Sequence, residues 1–145
     1  MTAYRRINLD GQSVTETRAM AAAAYPGQVV AIDSSDEFAV GNEGRLYVLH
    51  PANHEGLGIT DQIPATSVAV GEYIEEGREL AFRVVTGSYT KDQAITINSS
   101  GVAGAIPATP GTYAVTGYSQ DDLTVGSGAT DFLRVRIRAG SVTVS

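Results

Sequence analysis

The two histidines of the chain, His50 and His54, stand four residues apart, with Glu55 and Asp61 close behind. Imidazole and carboxylate donors at that spacing suit a zinc-type centre when one helix face carries both rings. Here Pro51 holds His50 to extended backbone, and Gly56 and Gly58 break the segment beyond His54, so the pair falls on a loop. A loop metal site completed by Asp61 is one reading. Two histidines on an exposed polar loop, with no metal, is the reading expected.

Glu72, Glu75, Glu76 and Glu79 surround Gly77 and Arg78. Paired carboxylates serve as acid and nucleophile in glycoside hydrolysis. The cluster sits at an expected turn between strands, where carboxylates face solvent, and no aromatic platform for a sugar accompanies it. A solvated acidic turn is therefore expected. Arg134, Arg136 and Arg138 form a comb of guanidinium groups suited to phosphate or to carboxylates. The same comb is also the polar face of a strand, paired across the sheet with acidic neighbours. Arg5, Arg6 and Arg18 extend the question to the start of the sequence. No Ser-His-Asp order, phosphate-cradling glycine loop or nucleophile elbow is present. The expectation is a protein that is not an enzyme, with no catalytic residue, cofactor or metal.

The elements that position these residues are read from composition and pattern. The 145 residues fit one domain. With 43% hydrophobic and 18% charged residues the chain is globular in type, and its 16 glycines with many Thr, Ser and Val favour a turn-rich β protein. Without Trp and with three Phe, the core must be mostly aliphatic and tyrosine. The absence of cysteine removes disulfides, thiolate metal sites and cysteine nucleophiles together. A net charge of −6 opposes generic binding to nucleic acid or to anionic membrane, so neither is expected as a partner. No secretory signal is recognisable, and no apolar run approaches a membrane span.

Short segments rich in β-branched residues recur about every ten positions: 28–32, 45–49, 67–74, 80–86, 94–97 and 113–118. The clearest is 132–138, FLRVRIR, where Leu133, Val135 and Ile137 face one way and the three arginines the other. This pattern predicts an all-β, single-domain antiparallel sandwich or barrel, of the jelly-roll or immunoglobulin-like sort, over residues 28–145. Two long loops, 50–66 and 101–112, stand out as candidate binding elements.

Residues 1–27 read differently. Ser13-x-x-Glu16 matches a capping box, Ala19 to Ala24 are good helix formers, and Pro26-Gly27 would stop a helix. A helix of about ten residues is marginal alone in water. The expectation is an N-terminal arm ordered by a partner or a neighbouring subunit, or else a short helix on the flank of the domain.

The stretch from about 67 to 138 resembles the decoration, or cement, proteins of tailed-phage capsids. "GEYIEEGRELAFRVVTGSYTKDQAITINSSGVAGAIP" is similar to that family's glycine-punctuated hairpins, followed by "GTYAVTGYSQDD" and a closing "FLRVRIRAG". "TETRAMAAAAYPGQVV" is similar to the lead segment before its first strand. The resemblance implies a structural role: binding the outer surface of the virion head across capsomers, with the major capsid protein as partner, as a homo-oligomer (dimer or trimer). Residues expected to make capsid or subunit contacts are Arg5, Arg6, Thr15, Glu16, Arg18, Met20, Arg134, Arg136 and Arg138. The other expectation kept open is a carbohydrate- or receptor-binding β-sandwich module of a tail fibre or secreted protein, motivated by the long loops.

Overall fold

A computed structural model describes residues 4–129 and 131–145. Its strands run in chain order as β1 (Thr15–Ala19), β2 (Val29–Ile32), β3 (Phe38–Val40), β4 (Leu46–Leu49), β5 (Val68–Tyr73) and β6 (Glu79–Val84). They continue as β7 (Gly87–Tyr89), β8 (Ala94–Ile97), β9 (Ala103–Ala105), β10 (Gly111–Ser119), β11 (Leu123–Val125) and β12 (Asp131–Val144). Among the described residues the only helical piece is one 3-10 turn at Asn53–Glu55. The fold is all-β, with antiparallel and mixed sheets in a sandwich-like arrangement.

β12 shows how sequence becomes layer. Leu133, Val135 and Ile137 are buried as period-2 alternation requires, while Arg136 and Arg138 are exposed. β12 lies between β10 and β6, and with β9 and β8 these strands close a five-stranded barrel in the order β10-β12-β6-β9-β8. The β6–β9 pair is parallel and the others antiparallel. Inside the barrel, Leu80, Phe82, Ile95, Leu133 and Val135 build one core.

The other large sheet has the order β1-β5-β4-β2-β3. It curls until its two edges meet: Met20, just past β1, bridges Phe38 of β3, and the Ala21 N–H donates to the Phe38 carbonyl at 2.9 Å. Met20, Val30, Phe38, Tyr47, Leu49 and Ile63 fill the second core inside this curl. Burying each such side chain contributes about 1.5–3 kcal/mol. Val29 and Val48, next to Val30 and Tyr47 in sequence, point instead into the barrel core. The β2–β4 layer is thus apolar on both faces, which is why 28–32 and 45–49 read as apolar runs rather than alternations.

Of the arm or short helix expected over residues 1–27, the helix is corrected by the structure. Thr15–Ala19 is a strand, antiparallel to β5 with Glu16 opposite Gly71 and Arg18 opposite Ala69. The capping-box residues serve other partners: the Ser13 N–H donates to the Glu72 carboxylate, and Glu16 accepts from the Tyr47 hydroxyl. A ten-residue helix had little to stabilise it. The open edge of β5 offered five residues of ladder, and the second core offered burial to Met20 and Ala24. Residues 15–24 are therefore part of the sheet and core rather than an arm standing off them; residues 1–3 of the expected arm lie outside the described residues.

Loop 50–66 is fastened rather than free. Ala52 and Ile63 are buried, and Ala24 and Ile63 exchange backbone hydrogen bonds of 3.1 and 2.7 Å. Thr66 closes the loop with φ +67°, a left-handed value unusual for a β-branched residue, its N–H donating to the Met20 carbonyl at 2.8 Å.

Candidate binding surfaces

The residues with chemical potential are mostly committed to one another. Glu79 begins β6, almost wholly buried, directly opposite Arg136 in the β12–β6 register. Arg134 Nε donates to Glu79 Oε1 at 2.7 Å and Arg136 Nη2 to Oε2 at 2.6 Å, so two guanidinium groups clamp one carboxylate. Its hydrogen bond to Glu79 raises the Arg134 pKa above its already high ordinary value. Arg136 also donates to the Gly77 carbonyl and reaches Asp10 at 4.0 Å. Arg138 is exposed, and among the described residues it carries no ion pair.

The expected solvated acidic turn is corrected at both its ends. Glu75 and Glu76 do lie at the turn, but Glu72 and Glu79 sit within strands and are buried. Strand pairing sets each among donors that cover it: Glu79 its two arginines, Glu72 the Ser13 N–H and His50. His50 Nε2 lies 2.9 Å from Glu72 Oε1, whereas His54 Nε2 lies 3.0 Å from the Val68 carbonyl oxygen. Asp61 accepts from the Gly58 N–H at 2.7 Å, turning the loop rather than joining the histidines. No group of three or more potential metal-ligating side chains gathers among the described residues.

At the start of the chain, the expected contact residues divide. Arg18 donates to Asp36 at 3.0 Å, a bond that raises its pKa, and reaches Glu16 at 3.4 Å. Met20 is fully buried in the second core, which corrects its expected place in a contact surface: a side chain sealed behind Phe38 meets no partner. Thr15, Arg5 and Arg6 are exposed.

The feature that sequence reasoning missed lies at the other end. β10 and β12 run past the barrel as a two-stranded ribbon in which Gly111–Val115 pairs only with Gly140–Val144. β6 covers β12 over Asp131–Arg136, and β8 meets β10 only at Gly117 and Tyr118. The register slips between Val115 and Gly117, a bulge that bends the ribbon as it leaves the barrel. Gly117 allows the close approach there, since a Cβ would fall 2.2 Å from the Arg136 carbonyl oxygen. The ribbon overhangs a groove of about 700 Å³, bordered by Asn42, Arg45, Tyr73, Glu76, Asn98 and Tyr113.

One signal was there to find. From Gln93 to Gln120, and again from Ala139 to Ser145, the sequence has no charged residue. Both ribbon strands fall inside these stretches. Charge is one of the devices that keeps open strand edges clear of other strands, and these runs carry none. No protein-family model matches the chain, and no curated protein matches it at significant similarity.

Proposed function

We propose that the protein is a capsid decoration (cement) protein: a structural, non-enzymatic domain that binds the outer surface of a phage head through the major capsid protein and stabilises it as a homo-oligomer. The observation that carries this reading is the β10–β12 ribbon, an exposed, uncharged strand pair held out from a rigid barrel. Strand edges displayed in this way suit attachment to another protein's backbone rather than capture of a small molecule. The interior supports the same reading. Glu72, Glu79 and His50, the groups best placed for chemistry, are engaged in fixed hydrogen bonds that stabilise the fold. The similarity of 67–138 to cement-protein hairpins supplies the partner. Repeated on a lattice, many modest contacts sum to tight attachment without any deep pocket.

Co-sedimentation of the purified chain with expanded capsids of the phage that encodes it tests the proposal. Saturable binding at a fixed ratio to the major capsid protein is expected; a chain that stays in the supernatant at every concentration would overturn it.

One observation favours the alternative of a carbohydrate-binding module. The groove beneath the ribbon presents Tyr73 and Tyr113 beside Asn42, Asn98 and Glu76, a lining able to stack on and hydrogen-bond a sugar. Glycan-array binding that is lost on Tyr73→Ala would move the assignment to this reading.

A further inference from the structure

β12 distributes its charge in the reverse of ordinary edge protection. Arg134 and Arg136 lie where the strand is paired on both sides, β10 on one and β6 on the other, with Arg138 just beyond. Past Arg138 the strand has lost β6, and there it carries Ala139, Gly140, Ser141, Val142, Thr143 and Val144 without a charge or a proline. Open edges are normally blunted by lysine, proline, inward charges or shortness. This one has none of these over the ribbon. Val142 stands 36% exposed, and a two-stranded ribbon alone in water is marginal until further strands cover it.

We infer that the open edge of β12 pairs with the same edge of a second copy of this chain, antiparallel about a two-fold axis at Thr143. The occupant is dictated by the sequence of the edge itself. A two-fold interface needs residue i to meet j while j meets i. Ser141-Val142-Thr143-Val144-Ser145 reads the same in both directions, so pairing about Thr143 sets Ser against Ser, Val against Val and Thr against Thr. Threonine and valine pairs across antiparallel strands are favourable, and no charged side chain falls within the paired stretch. Electrostatics points the same way. Two copies of net charge −6 repel, and residues 141–145 bring no charged side chain to the pairing; the nearest carboxylate on this edge is Glu76, which accepts from the Ala139 N–H outside the paired stretch. The product is a four-stranded sheet, β10-β12-β12-β10, in which both inner edges are satisfied.

The inference fills only the β12 edge and leaves the outer edge of β10 over Gly111–Val115 for the capsid; it is tested apart from the capsid reading because the pairing is measured in the free protein. The chain has no cysteine, so any disulfide reports an introduced one. Thr143→Cys is exposed and sits on the axis, with its partner one strand spacing away, about 5 Å, within disulfide range. Thr112→Cys lies opposite Thr143 within the ribbon, yet three strand spacings, about 14 Å, from its own copy. Under mild oxidation Thr143→Cys should convert almost wholly to a covalent dimer while Thr112→Cys stays monomeric in denaturing gels. Sedimentation equilibrium of the unmodified chain should give a reversible dimer, and Thr143→Lys should raise its dissociation constant at least tenfold with an unchanged circular dichroism spectrum. A chain monomeric at all concentrations, a trimer, or equal cross-linking of the two cysteine variants would overturn the inference.

Discussion

Arg136 stands directly across the β12–β6 ladder from Glu79, and its Nη2 donates to Glu79 Oε2 at 2.6 Å. With Arg134 on the other carboxylate oxygen, two of the three comb arginines are tied to one carboxylate on the outer face of the sheet. The arginines keep about half their exposure while the carboxylate has almost none. The two sides of the clamp are therefore unequal.

That inequality predicts unequal mutants. Glu79→Gln should destabilise the fold by about 1–3 kcal/mol, since two cations lose their anion and one buried acceptor is weakened. The loss stays below that of a fully buried pair because both guanidinium groups can turn back to water. Arg136→Ala should cost no more than about 1 kcal/mol, with Arg134 still in place. Urea unfolding of both variants checks the order.

Met20 distinguishes a sheet from an arm. Met20→Ala should cost about 2–5 kcal/mol by emptying the second core beside Phe38. A segment standing off the domain would tolerate the change with no measurable shift in thermal midpoint.

Gly101 and Gly128 share a left-handed backbone, φ +74° in each, but not the same surroundings. A Cβ at Gly101 would lie 2.2 Å from the Val29 carbonyl oxygen, whereas nothing lies within 4 Å of one at Gly128. Gly128→Ala should cost about 1–2 kcal/mol of backbone strain alone. Gly101→Ala must also push β2 away, through the strand that both cores share, and should cost clearly more in the same denaturation assay.

Tyrosines govern the alkaline limit. Burial raises the pKa of Tyr4, helped by its 2.6 Å hydrogen bond to Asp121, and burial likewise raises Tyr47 and Tyr89. A raised folded pKa means that the native state holds these protons after the unfolded chain has released them. The stabilisation is full below the unfolded value of about 10 and is lost as pH climbs from there through the folded values. Stability should thus fall above about pH 10, and Tyr4→Phe should flatten the fall. Denaturation midpoints between pH 8 and 12 provide the check.

Much of the fold was legible in the sequence because it rested on period-2 alternation. FLRVRIR, 80–86 and 94–97 fall within or beside β12, β6 and β8, with their apolar faces inward. β1 was not legible, because alanines and a capping box describe local preference, while the strand is fixed by the distant β5 edge and by Phe38. The short strands β3, β7, β9 and β11 have only three residues each, too few for a period to show. The burial of Glu72 and Glu79 was hidden for a similar reason. Their partners Ser13, His50, Arg134 and Arg136 lie far away in sequence. The ribbon left a trace only as an absence of charge, which gains meaning once the strand edges are known.

A domain that cements a capsid must make the head harder to break, and differential scanning calorimetry of purified expanded heads measures that property itself. Heads saturated with the protein should rupture at a higher temperature than bare heads, with the increase reaching a plateau at saturation. Heads that rupture at the same temperature with and without the bound protein would contradict a cementing role.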